Sequence, residues 1–139
     1  MLRHVFERVI IPEAVAAEVA QGFEARGSSG IDLPEWLERQ SSRREPDRLL
    51  TRSLDSGEAA VVALAVEIGA DWVLIDERKG RKIASEIYGL RVIGTAGLLV
   101  RAKQLDLVAS VLPALNAMRN NGYWLHDSLV KWAQEKAEE

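Results

Sequence analysis

Glu18, Glu58 and Asp76 are the residues of this chain whose types and spacing could do chemistry. They fall in separate stretches, and carboxylates drawn from separate stretches can share one oxygen-coordinated cation such as Mg2+ or Mn2+, which needs few protein ligands and keeps several waters. A cation so held can generate hydroxide and stabilise an in-line displacement at phosphorus. Directly after Asp76 and Glu77 come Arg78, Lys79, Arg81 and Lys82, cations suited to contacting phosphate. Plainer roles stand beside these. Asp55 with Glu58 can be a helix capping box, Glu18 a solvated charge on a helix flank, Asp76 a turn initiator and Arg78 to Lys82 a solvated helix start, although cations there oppose the helix dipole. His126 beside Asp127 resembles a dyad, but with no nucleophile nearby a helix-start role accounts for it better.

The elements that must position these acids follow from the apolar pattern. Val9-Ile10-Ile11 is a β-branched run that stops at Pro12, and a proline there suits the first turn of a helix. That helix is expected from Pro12 to Gln21, with Val15 and Val19 on one face and Gly22 as its left-handed end. Residues 22–34 read as a glycine-rich loop, Pro34 to Arg39 as a short helical turn, and Ser41 to Arg48 as solvated. A helix apolar on nearly every face, and so deeply buried, is expected from Asp55 to Ile68. Gly69 and Ala70 then turn the chain into Trp72-Val73-Leu74-Ile75, a run of the kind found in parallel strands covered on both faces. Asp76 is the first charge after it.

A helix from Lys79 to Tyr88 with Ile83 and Ile87 inward, a strand from Arg91 to Thr95 and a helix from Ala96 to Lys103 with Leu98 and Leu99 inward complete the alternation. A leucine- and valine-rich segment from Leu105 carries Pro113 early in the next helix, which ends at Asn120-Asn121-Gly122. Tyr123 to Leu125 reads as a short extended piece that could lie at a sheet edge, and Asp127 or Ser128 as the cap of a last helix running to about Lys136. Strand and helix in alternation argue for a parallel sheet covered by helices, whose sites form beyond the carboxyl ends of strands, where Asp76, Glu77 and Thr95 fall. The strand candidates cover roughly half of what an ordinary domain of this size contains. Either a strand hides before Leu54 or the sheet is incomplete.

Composition narrows the options further. The chain has 139 residues, 47% of them hydrophobic, which suits one core and a single domain over residues 1–139. Zero cysteines and two histidines exclude disulfides and cysteine-based zinc sites, so a metal would be held by oxygen. Eighteen basic against 21 acidic residues give a net charge of −3, which leaves nucleic-acid binding to local clusters of cations. The opening residues lack the apolar core of a signal peptide, no stretch reaches membrane-span length, and the protein is expected in the cytoplasm.

Val9-Ile10-Ile11-Pro12 with Glu18, Leu54-Asp55-Ser56-Gly57-Glu58-Ala59, Leu74 to Arg81 and Val92 to Leu99 together resemble the PIN-like domains of the DUF3368 family, relatives of VapC-type toxin ribonucleases. The resemblance covers nearly the whole chain. It implies a PIN-like three-layer α/β/α fold with a short parallel sheet, and a metal-dependent ribonuclease site in which Glu18, Glu58 and Asp76 match family acids and bind Mg2+ or Mn2+. It implies RNA as substrate and a small antitoxin-like protein as partner. The family opens with a strand ending in an Asp-Thr or Asp-Ser motif, and the first residues here correspond to the helix after it, so the first central strand and its acid are missing. Three compensations stand open: direct pairing of the Val9 strand with the Trp72 strand, a strand lent by another chain as in a homodimer, or an upstream start. A catalytically inactive PIN-like interaction scaffold is the alternative function.

Overall fold

The computed structural model of the chain describes residues 2–25 and 33–139. In chain order the described residues form α1 (Leu2–Val5), β1 (Val9–Pro12), α2 (Glu13–Ala25), β2 (Leu37–Gln40), α3 (Arg48–Ser53), α4 (Ser56–Ile68), β3 (Val73–Leu74), α5 (Arg78–Glu86), β4 (Val92–Ile93), α6 (Thr95–Gln104), α7 (Leu112–Asn120) and α8 (Asp127–Lys136). This is a PIN-like α/β fold with short sheets. Two compact units divide it, Arg8–Val92 and Met1–Glu7 with Ile93–Glu139.

In the unit Arg8–Val92 the hidden strand is β2. It pairs parallel with β1, Val9 opposite Leu37 through to Pro12 opposite Gln40. The helical turn expected at Pro34 to Arg39 is only a single turn, in which Leu37 N–H donates to the Pro34 carbonyl at 3.0 Å before the chain straightens. Leu37-Glu38-Arg39-Gln40 has no apolar run, so it is a strand through its partner and not through propensity. The Arg8 guanidinium forks onto Glu38 at 3.1 and 2.6 Å and pins the register from outside.

The sheet is therefore two separate pairs, β1 with β2 and β3 with β4. Direct pairing of β1 with β3 does not occur among the described residues. β3 is shorter than expected, with Val73 N–H donating to the Arg91 carbonyl at 2.8 Å and Arg91 lying over the Trp72 ring at 4.2 Å. α2 also departs from expectation, since it runs through Gly22 to Ala25. A mid-helix glycine costs only about 1 kcal/mol, and Phe23-Glu24-Ala25 continues the helix beyond it. The rest of the loop expected over residues 22–34 falls largely on residues 26–32, outside the described ones.

Asp55 caps α4 as expected, accepting from Glu58 N–H at 2.8 Å, and Gly69 closes it at φ 64°. α4 is less fully buried than its composition suggests. Val62 is 0% exposed, but Val66 is 49% and Ile68 39%, because the last turn has neighbours on one side only. The core joins Leu50 and Leu54 to Ala59, Val62 and Ala65 of α4, to Val73 and Ile75, and to Ile83 and Ala84 of α5. Leu50 belongs to α3, a short helix that follows the segment Ser41 to Arg48 read as solvated and is capped from within it by Asp47, which accepts from Leu50 N–H at 3.0 Å. Tyr88 ties the end of this region back to that cap, its hydroxyl donating to Asp47 Oδ2 at 2.6 Å. α5 stops at Glu86, so Ile87, expected inward, is 56% exposed.

In the other unit α6, α7 and α8 enclose a core of Ala96, Leu99, Val100, Val111, Leu115, Val130, Ala133 and Ala137. Tyr123 to Leu125, expected as a short extended piece, joins neither sheet. Its backbone is satisfied locally: Tyr123 N–H donates to the Met118 carbonyl at 2.9 Å, and the Arg119 guanidinium donates to the Leu125 carbonyl and Asp127 at 2.8 Å each. His126 takes the N-cap position of α8 expected of Asp127 or Ser128, with Asp127 in the first turn. Glu139 reaches the start of α7, accepting from Val111 N–H at 2.8 Å and from the Ser110 hydroxyl, with Lys103 at 3.1 Å. Those donors hold its carboxyl at about 2, far below its ordinary value.

Candidate functional site

Within the unit Arg8–Val92, Glu18 projects from the exposed face of α2 toward the first turn of α4. Ser56 Oγ donates to Glu18 Oε1 at 3.4 Å. A Cβ on Gly57 would stand 2.8 Å from Glu18 Oε2 and 3.0 Å from Oε1, so only a glycine lets the carboxylate rest there. The site is electrostatically sensible, since the first turn of a helix presents unpaired N–H groups and the positive end of the dipole.

Glu58, one residue further along α4, is half-buried. The floor beneath it is Gly80 in the first turn of α5. A Cβ placed on Gly80 would lie 3.7 Å from the Glu58 carboxyl carbon and 3.6 Å from Glu77 Oε2. Glu77 is held there as the cap of α5, accepting from Lys79 N–H at 3.0 Å and Gly80 N–H at 2.8 Å. Burial pushes the Glu58 carboxyl up from its ordinary value, and the charges of Asp55, Glu77 and Glu18 push the same way, against a smaller opposing effect of the Asp55 backbone. Repulsion among like charges is what a bound cation would relieve.

Of the acids expected from sequence, then, Glu18 and Glu58 both act on one patch formed by the starts of α4 and α5. Asp76 lies exposed between β3 and α5, engaged in an interaction of its own. Glu77 is the acid next to Glu58 that sequence reasoning named beside Asp76 without a role. The signal that could have found it is an acid preceding Arg78-Lys79-Gly80 at a helix start, a capping position. Among the described residues no group of three or more acids or histidines forms a site that could hold a metal ion. The donor chemistry nonetheless fits a hard cation that keeps most of its water, since Glu18, Glu58 and Glu77 offer oxygen alone.

Arg78, Lys79, Arg81 and Lys82 occupy the first turns of α5, all exposed, and none forms an ion pair among the described residues. They are available to an anion approaching that patch. Thr95 opens α6, in the other unit.

A comparison with protein families finds the model of DUF3368, described as PIN domain, matching residues 1–139. No curated protein and no solved structure matches the chain.

Proposed function

Because this chain belongs to the DUF3368 family of PIN domains, a nuclease-type class, we propose that it is a metal-dependent endoribonuclease and the toxin component of a type II toxin–antitoxin pair. Glu18 and Glu58 would hold Mg2+ or Mn2+, and Asp76, which lies apart from their patch at the end of β3, would be the third acid. When bound, the cation supplies Lewis acidity at phosphorus and an acidified water. The chain's own residues do the rest. Glu77 fixes the start of α5 beside Glu58, Gly57 and Gly80 allow the carboxylates to approach backbone, and Arg78, Lys79, Arg81 and Lys82 hold the RNA phosphates. The observation that carries this reading is the gathering of three carboxylates at two helix starts, Glu18 against Gly57 and Glu58 beside Glu77 over Gly80, whose mutual repulsion a cation would offset. A small antitoxin-like protein restrains the activity by covering the acids, the protein works in the cytoplasm as a homodimer, and residues 1–139 act as one PIN-like domain.

The purified chain incubated with single-stranded RNA and Mn2+ tests it. Cleavage is expected to be lost in Glu58→Gln and in Asp76→Asn and to stop with EDTA. Cleavage undiminished in both variants would assign the activity to a contaminant. Absence of both cleavage and Mn2+-dependent heat stabilisation would leave the interaction scaffold.

A further inference from the structure

A second feature of the unit Arg8–Val92 lies outside the acids and outside α5. Behind the carboxyl ends of β1 and β2 is a cavity of about 240 Å³ whose apolar lining is Pro12, Ala14, Pro46 and Ala60 and whose cations are Arg43 and Arg44. Both arginines are exposed, and neither guanidinium forms an ion pair among the described residues. Glu45 and Ser42 complete the lining. The loop is held in place by backbone, Arg43 N–H donating to Glu67 Oε1 at 2.8 Å. Two arginines in no ion pair among the described residues outnumber Glu45 in this lining, and a net positive charge on an anchored loop beside an apolar hollow is arranged for an anion that carries an apolar flank.

Helical geometry relates this cavity to the acids. Ala14 and Glu18 are i and i+4 on α2, and Ser56 and Ala60 are i and i+4 on α4, so each pair lies on one face, about 6 Å apart. Ser56 meets Glu18, while Ala14 and Ala60 both line the cavity. The cavity is therefore one helical turn from Glu18 along both helices. That is the reach of a neighbouring nucleotide on a strand whose phosphate sits at the acids.

We propose that Arg43 and Arg44, over the hollow floored by Pro12, Ala14 and Ala60, bind a phosphodiester of the RNA strand next to the one being cut. This rests on the ribonuclease reading above and extends its substrate contacts to a loop that no motif marks. The fork of a guanidinium suits phosphate oxygens, and the apolar floor accepts the ribose or base edge that follows.

The test is fluorescence anisotropy of a labelled single-stranded RNA oligonucleotide with the full chain in EDTA, over a salt series. Wild type is compared with Arg43→Gln/Arg44→Gln and with Lys131→Gln/Lys136→Gln, which removes equal charge from α8; titration with inorganic phosphate is run in parallel. The arginine variant is expected to bind RNA on the order of tenfold more weakly. Its slope of log affinity against log salt is expected to be shallower by about 1.4, from about 0.7 per lost contact on a single strand. The lysine variant is expected to keep the wild-type slope. An arginine variant with wild-type affinity and slope would overturn the pocket and leave the ribonuclease reading intact. If wild type bound phosphate through these arginines but no RNA, the pocket would serve a free anion and the ribonuclease reading would fall; if it bound neither, both would fall.

Discussion

Gly57→Ala separates stability from function in this protein. Gly57 is the second residue of α4 and carries no positive φ, so alanine fits its backbone. In a helix interior the change gains about 1 kcal/mol, and in a first turn roughly half of that. The contact made by the new Cβ is with the Glu18 carboxylate, 2.8 Å from Oε2 and 3.0 Å from Oε1, the far end of a flexible and exposed side chain. That group would swing away by roughly half an ångström or more, giving up a long hydrogen bond from Ser56 worth at most about 0.5 kcal/mol. With unfolding entropy near 2.1 cal/mol/K per residue, each kcal/mol moves the melting temperature by about 3 °C in a chain of this length. The variant is expected to melt no lower than wild type, and up to about 2 °C higher, without divalent metal. It should also lose most of the Mn2+-induced stabilisation and of the RNA cleavage, because Glu18 no longer rests at the start of α4. Thermal melts with EDTA and with Mn2+, alongside a cleavage assay, read both effects. A variant that melts several degrees lower, or that keeps the wild-type response to Mn2+, would refute the placement of Glu18 against Gly57.

Three further outcomes are expected. The Glu58 carboxyl is raised, so its contribution to stability is full below its unfolded value and is lost as pH rises through the folded one; Glu58→Gln should therefore melt higher than wild type at neutral pH in EDTA, the gain fading toward pH 4 in a melting series. Tyr88, raised to about 12 by burial and by Asp47, supports the fold below about pH 10 and loses that support through about pH 12. Tyr88→Phe should cost about 1 kcal/mol near neutrality and flatten the alkaline fall in melting temperature. Leu115, 0% exposed in the α6–α8 core, should cost about 2–5 kcal/mol when cut to alanine, measured by urea unfolding.

Much of the positioning framework is legible in the chain itself, because it rests on local chemistry. Asp55 ahead of an apolar run, Gly69 after it and Pro113 early in α7 each act over a few residues, and the structure keeps them where the pattern puts them, whereas of the run expected to be covered on both faces Val73 and Ile75 are buried and Leu74 is 41% exposed. Segments whose conformation depends on a distant partner could not be read this way. Leu37 to Gln40 is extended only because β1 supplies its hydrogen bonds, and α3 holds because Asp47 is engaged at once by Leu50 N–H and Tyr88. The same division runs through the candidate site. Residue type and spacing single out Glu18 and Glu58, since an acid in a helix's first turn and one beside an apolar stripe stand out locally. Only tertiary structure brings Glu18 onto Gly57, sets Glu77 beside Glu58 across Gly80, and places Arg43 and Arg44 at a hollow one turn from Glu18. Those relations span tens of residues of sequence, and they arise from which helix faces pack together, which no local pattern encodes.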